Sequence, residues 1–354
     1  MGVAVAHKGT IGHVAAWYIF RASTMWERIR RRQHASSSMM AWRPRHTRRD
    51  ALDAAGVMSS WSDEALAQLA ATVRRGTPWR QALLEVAQPS RSGEGTEHRT
   101  EDARGNWLWL VDLERWECAL DVQGGIGTTT AALSRHFASV HYLDAARPLV
   151  EFARARFRED RSANVACAQA GASALPYGPA TFDCVVWDGA LGRRVAGVAT
   201  ADPPAALPAV LAECRRVLRP GGCLYVGIAT GAAPERVLGA GLILSALIRM
   251  VVGLIRVVPL WAWRRRATRR VRRFERLAVA RAVPRQLRAA GFTRVQAYYI
   301  DPSFQQPWNI IPARRRAVLA YEGLQITSAG PRRWLAWLSL HPVLFDCHVF
   351  LAYA

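Results

Sequence analysis

The chain has 354 residues, 51% of them hydrophobic and 21% charged. That balance supports a buried core and excludes wholesale disorder. Its formal net charge is +21, and Lys8 is the only lysine, a usage that a GC-rich coding sequence explains as readily as function does. Residues 1–49 carry +9 and residues 264–276 carry +7, which leaves the rest of the chain near +5. A nearly neutral body excludes a broad basic nucleic-acid-binding surface, so no nucleic-acid partner is expected. The six cysteines form no CxxC pair and mostly sit in apolar runs. They read as buried thiols of a reducing compartment rather than as a zinc site or a disulfide framework.

In chain order, residues 1–49 join a short apolar run, Val14 to Phe20, to ERIRRR and RPRHTRR. The run is far too short to span a membrane, and no small-residue cleavage site follows it. A poorly ordered basic leader is the favoured reading. An organellar transit peptide and a later start at Met25, Met39 or Met40 are the alternatives. Residues 50–105 form a helical extension (DEALAQLAATVRRG, WRQALLEVA) and a polar loop from Gln88 to Gly105.

From residue 106 to 235, apolar stretches of strand length alternate with amphipathic helical ones. The spacing predicts strands at Cys118–Val122, Ser139–Leu143, Asn164–Ala168, Phe182–Trp187 and Cys223–Ile228. Helices are predicted at Thr129–His136, Pro148–Arg158 and Pro204–Leu218. Residues 236–283 form an apolar insertion with an Arg-rich flank. Residues 284–354 then add a helix at Pro284–Ala290, a strand at Arg294–Ile300 and a closing strand in HVFLAYA. This is the pattern of a mostly parallel α/β sheet.

The sharpest motif is ALDVQGGIGTTTAALSRHF, residues 119–137. A strand ends at Asp121–Val122, a glycine-rich turn follows, and a helix begins at the threonines. Glycine lets backbone approach a ligand closely, and a helix N-terminus offers free N–H donors. The next strand, VHYLD, ends in Asp144. An acidic residue there can accept both ribose hydroxyls of a nucleoside ligand; capping of the following helix is the alternative. Two more segments complete the set: GASALPYGPATFDCVVWDGAL at 171–191 and ECRRVLRPGGCLYVGIA at 213–229.

In that order and spacing the four segments resemble the class I S-adenosylmethionine-dependent methyltransferases. The matching residues are Asp121 to Gly127, Asp144, Leu175–Pro176–Tyr177 with Phe182–Asp183, and Arg216 to Gly222. The resemblance implies a Rossmann-like fold with a mostly parallel seven-stranded sheet flanked by helices and an apolar helical insertion after strand five. It implies S-adenosylmethionine as the cofactor, bound by Asp121, Gln123, Gly124, Gly125, Gly127, Asp144, Ala172 and Asp188. Gly125 and Gly127 would lie under the methionine part, Asp144 would hold the ribose, Ala170–Ala172 would flank the adenine, and Asp188 would face the methyl group. Nicotinamide-binding Rossmann enzymes differ, since they lack RVLRPGG and their first loop reads GxGxxG rather than QGGIG. Three departures from the family pattern stand out: Gln123 replaces a loop glycine, Gly171 replaces an adenine-contacting Asp, and GALGRR lacks the usual aromatic or His residue. NWLWLVDL and AAGFTRVQAYYIDPSFQQPWNIIP partly resemble a subgroup found in bacterial surface-polysaccharide loci.

Methyl transfer needs positioning above all, and a general base only for a protonated acceptor. The candidates are Asp188, Tyr299 and Asp301, with Asp188 preferred. Residues 237–263 are apolar except for Arg249, Arg256 and Ser245, which fall on one narrow helical stripe. A helix of that kind, followed by RRRATRRVRRFER, suits an anionic membrane surface contacted through 237–276; a lid or packed insertion is the alternative. The expected function is a methyltransferase acting on a small-molecule or lipid-linked acceptor, with a sugar hydroxyl favoured, in the cytoplasm or on the inner membrane face. A quinone or other lipid methyltransferase is the second reading. A cofactor-binding scaffold without catalysis, suggested by Gln123 and Gly171, is the third.

Overall fold

The computed structural model describes residues 63–86, 104–188, 203–230, 277, 279–302, 304, 307–324 and 341–354. The predicted leader at 1–49, most of the loop at 88–105, the GALGRR segment and nearly all of the insertion at 236–283 lie outside the described residues. The chain divides into units Met1–His46 and Thr47–Ala354, and the described residues all belong to the second.

Two helices, α1 (Asp63–Arg74) and α2 (Trp79–Val86), come first. A 3-10 turn at Asn106–Leu110 leads into β1 (Cys118–Val122), α3 (Thr128–Leu133), β2 (Ser139–Asp144) and α4 (Arg147–Glu159). Then come β3 (Val165–Gln169), β4 (Phe182–Asp188), α5 (Pro203–Val217) and β5 (Leu218–Ala229). After a helical stretch at 279–289, the chain adds β6 (Arg294–Pro302), β7 (Pro307–Pro312), α6 (Arg315–Leu324) and β8 (Cys347–Tyr353).

The sheet has eight strands in the order β3-β2-β1-β4-β5-β8-β6-β7. The first five run parallel, and β8 lies antiparallel between β5 and β6. The expected seven-stranded sheet is therefore corrected to eight, the additional strand being PWNIIP. A proline at each end removes ladder donors and confines such a segment to an edge, where β7 pairs only with β6. Its pattern alone gives no alternation to read.

Side-chain alternation divides the core between the two faces of the sheet. Leu120, Val122, Val185, Trp187, Leu224 and Val226 face α5 and the helical stretch at 279–289, packing on Leu207, Leu211, Val283 and Leu287. Ala119, Val140, Val186, Tyr225 and Leu351 face the other way, against Trp107, Leu133 and Phe137. Every residue of β8 is buried, so its continuous apolar run reflects cover on both faces.

The FD and RPGG segments serve this frame. Asp183 on β4 is 2% exposed. Its Oδ2 accepts the N–H groups of Glu117 and Cys118, each at 3.0 Å, and its Oδ1 accepts Arg219 Nη1 at 2.9 Å. One carboxylate thus ties the entry of β1 to β4 and β5. Replacing it removes the acceptor of two part-buried N–H groups and leaves Arg219 paired with Glu117 alone. Asp183→Ala is expected to destabilise the fold by about 3 kcal/mol, read as a lower urea midpoint at unchanged slope.

Candidate functional site

β2 and β3 extend to one side of β1, and β4 and β5 to the other. The chain therefore reverses its winding between β1 and β4, and in open parallel sheets the ligand crevice opens at the carboxyl ends of such strands. The β1–α3 loop stands there. Gln123, Gly125 and Gly127 all take positive φ, at 57°, 60° and 79°. Glycine adopts that region freely, whereas Gln123 bears a steric cost of about 1 kcal/mol.

Buried polar groups hold the loop down. Gly124 N–H donates to Leu143 O at 3.1 Å, and Gly125 N–H donates to Asp144 Oδ2 at 3.1 Å. Tyr142 OH, fully buried beneath the loop, donates to Gly125 O at 2.6 Å. Arg156 on α4 donates to Ile126 O and lies with its guanidinium carbon 4.3 Å from the Trp79 ring of α2. Ile126 itself packs against the clusters built by α1, α2 and α4. Asp121, buried at the end of β1, accepts Thr130 Oγ1 at 2.6 Å, which anchors the first turn of α3.

Asp144 ends β2 as expected and is fully buried. Its Oδ1 also accepts Ala146 N–H at 2.9 Å, one residue before α4 begins. It therefore organises the turn into α4 while it orients the glycine loop. Each carboxylate oxygen can accept more than one hydrogen bond, so these contacts are compatible with a ribose ligand. Gln123 does not lie idle either. Its Oε1 accepts Trp187 Nε1 at 2.8 Å, a bridge from the loop to β4. Gly171 has open space where a side chain would be, and Ala172 is buried beside it.

Asp188 is the last residue of β4, opposite Gly227 of β5. Its Oδ2 pairs with Nη1 of Arg104, from the segment just before the 3-10 turn. Arg104 Nε and Asp188 Oδ1 are buried and make no hydrogen bond among the described residues. Each such orphan costs about 1–3 kcal/mol, which points to a ligand that would satisfy it. Close by, burial pushes the Tyr225 phenol up, and the Asp188 carboxylate adds to that shift. Tyr225 stays a neutral wall, its ring 4.3 Å from that of Trp107.

The structure thus gathers Asp121, Gln123, Gly124, Gly125, Gly127, Asp144 and Asp188 at the carboxyl ends of β1, β2 and β4, with Ala172 following β3. Tyr299 and Asp301 fall elsewhere, on β6, with β5 and β8 between them and β4. Tyr299 stacks on Phe345 at 4.6 Å, and burial pushes its hydroxyl well up. Asp301 accepts Tyr321 OH at 2.7 Å. Sequence reading missed Tyr142, Arg156 and Arg104. A tyrosine inside VHYLD and an arginine on the apolar face of α4 were visible signals for the first two. Arg104 carried none, because its partner lies 84 residues away.

The residues suit the cofactor expected from the motifs. A positive-φ loop leaves backbone exposed to a ligand, a carboxylate stands at the end of β2, and orphaned polar atoms stand at the end of β4. Residues 119–222 match the family model described as a methyltransferase domain. No curated protein matches the sequence. Among solved structures, a chain of the complex between the Haloferax volcanii Trm112 methyltransferase activator and a methyltransferase is 16% identical, covering 83% of this chain and 99% of that one at a TM-score of 0.42. The YcgJ protein of Bacillus subtilis is 16% identical over 72% of this chain and 98% of its own, at a TM-score of 0.35. A Haemonchus contortus phosphoethanolamine N-methyltransferase 2, solved with phosphomonomethylethanolamine and S-adenosylhomocysteine, is 14% identical over 68% of this chain and 49% of its own, at 0.37. Over residues 119–222 the chain thus matches a methyltransferase domain, and the motifs it carries there are those that resemble the class I S-adenosylmethionine-dependent enzymes.

Proposed function

We propose that the protein methylates an oxygen of a small-molecule or lipid-linked acceptor, with a sugar hydroxyl in surface-glycan synthesis as the leading class. The observation that carries this reading is the glycine loop turned onto the Asp144 carboxylate where the sheet reverses its winding. In it, Asp144 accepts the ribose hydroxyls, Gly125 and Gly127 lie under the methionine part, and Gln123 and Gly124 shape the loop's entry. Asp121 fixes the loop through Thr130, Ala172 flanks the adenine, and Asp188 faces the methyl end. S-adenosylmethionine supplies a methyl group made electrophilic by its positively charged sulfur.

Asp188 receives the proton that the acceptor hydroxyl loses. Pairing with Arg104 is no obstacle to this. A hydroxyl gains acidity as its oxygen becomes positively charged, and a carboxylate is a far stronger base than a protonated ether.

The membrane component of the reading rests on sequence: the Arg249 and Arg256 stripe and the eight arginines of 264–276 suit anionic headgroups. No helix among the described residues is long and apolar enough to cross a membrane.

Three measurements test these assignments. Asp144→Ala should weaken S-adenosylmethionine binding at least tenfold by calorimetry while the thermal transition stays cooperative; unchanged affinity would leave Asp144 as a turn-forming residue alone. Gln123→Gly relieves the left-handed strain at the cost of the Trp187 bond, and should bind the cofactor as well or better. A large loss would instead assign the Gln123 amide to the cofactor. Finally, wild-type protein should co-float with anionic vesicles at low salt. Replacing Arg264, Arg265, Arg266, Arg269 and Arg270 with Gln should release it, at about 1 kcal/mol per charge. Wild-type protein that stays free of such vesicles would overturn the membrane reading.

A further inference from the structure

Asp188 and Arg104 meet because each is fastened independently. Opposite Asp188 on β5 stands Gly227, where an added Cβ would lie 2.4 Å from Asp188 Oδ1. The glycine is what admits the carboxylate. Arg104 precedes a turn whose Trp107 is buried against Tyr225 and whose Asn106 Nδ2 donates to Pro307 O of β7 at 3.3 Å. The segment is thereby anchored to strands on the β5 side of the sheet, and Arg104 reaches the end of β4.

The pair joins Arg104 Nη1 to Asp188 Oδ2; the two side chains are 17% and 12% exposed, and their unmatched atoms lie in the buried part, just beneath the exposed part. The unmatched atoms, Arg104 Nε and Asp188 Oδ1, differ in kind. One is an N–H donor and the other an acceptor.

Resting on the methyl-transfer reading above, we propose that Arg104 and Asp188 together bind the methyl acceptor through a neutral hydroxyl group. Arg104 Nε–H donates to the hydroxyl oxygen, and the hydroxyl O–H donates to Asp188 Oδ1. A hydroxyl meets both demands through a single atom and keeps a second lone pair for the incoming methyl. The charges select in the same direction. An acceptor binding through carboxylate or phosphate would satisfy Arg104 while facing Asp188 as a like charge, and an ammonium would reverse the conflict. Arg104 and Asp188 already balance each other, so a neutral group fits without leaving either charge uncompensated. Arg104 is on this account a specificity-determining residue that touches the substrate.

The test uses nitrogen-15-labelled full-length protein saturated with S-adenosylhomocysteine, followed by NMR at two reporters: Arg104 Nε–H and the Trp187 indole N–H. Catechol and methyl α-D-glucopyranoside serve as hydroxyl probes at tens of millimolar, with benzoate and inorganic phosphate as anionic ones. At least one hydroxyl probe should shift both reporters saturably, and the anions should leave them in place. Arg104→Lys keeps the positive charge beside Asp188 but has no Nε–H. By the indole signal it should bind the same probe about tenfold more weakly, while still binding S-adenosylhomocysteine. Silence from both hydroxyl probes, a larger response to an anion, or equal probe affinity in Arg104→Lys would each overturn the proposal. Failure of S-adenosylhomocysteine itself to bind, read separately by calorimetry, would overturn the methyltransferase reading beneath it.

Discussion

A backbone that leaves a central strand, passes through three left-handed residues and re-enters as a helix must satisfy its polar groups over a dry core. In this protein that demand is met by β2 and α4. The Leu143 carbonyl and the Asp144 carboxylate accept N–H groups from Gly124 and Gly125, and Tyr142 and Arg156 donate to the carbonyls of Gly125 and Ile126. Buried polar atoms left unmatched would cost far more than matched ones contribute. The shape of the loop is therefore set mainly by its supports, and the glycines permit that shape. The position of α2 follows from the same constraint, since Trp79 covers the Arg156 guanidinium and donates its indole N–H to Asp160 at 3.0 Å.

The carboxyl end of β4 follows a different rule. There the sheet brings a charged pair to the carboxyl ends of β4 and β5 and leaves one donor and one acceptor without partners among the described residues. The backbone groups of Gly124, Gly125 and Ile126 in the glycine loop are matched by their supports, whereas the charged pair at the end of β4 keeps one donor and one acceptor unmatched. That contrast matches the division of labour in methyl transfer. One ligand type must be held in a fixed pose, and the chemistry then depends on how the second is aimed. Asp183 and Asp188 show how two carboxylates on one strand can take unlike tasks. Asp183, fully matched by two N–H groups and Arg219, is frame. Asp188 is matched on one oxygen only, which is why the proposed proton acceptance falls to it.

Much of this was legible in the chain. Apolar runs of strand length marked β1, β2, β3 and β4 to within one residue at each end and the buried part of β5. The spacing of the glycine loop, Asp144, the FD segment and RVLRPGG identified the fold because each recurs for a local steric or hydrogen-bonding reason. What local pattern could not carry were the relations between distant segments. PWNIIP became an eighth strand because β6 offered it an open edge. Gln123 proved to bridge the loop to Trp187, although the sequence marked it only as a departure from a loop glycine. Tyr299 was drawn into a cluster with Phe345 and Val318, away from the crevice.

The sequence by itself determined the alternating α/β order, the parallel half of the sheet, the glycine-rich loop after β1 and the acidic residue at the end of β2. Each of these depends on residues within a few positions of one another, where backbone sterics and side-chain periodicity suffice. Only the tertiary structure decided which polar groups meet across the crevice. Arg104 finds Asp188 because Trp107 docks on Tyr225 and Gly227 leaves room for a carboxylate. Burial and charge pairing are properties of that assembled space, and no stretch of the chain carries them alone.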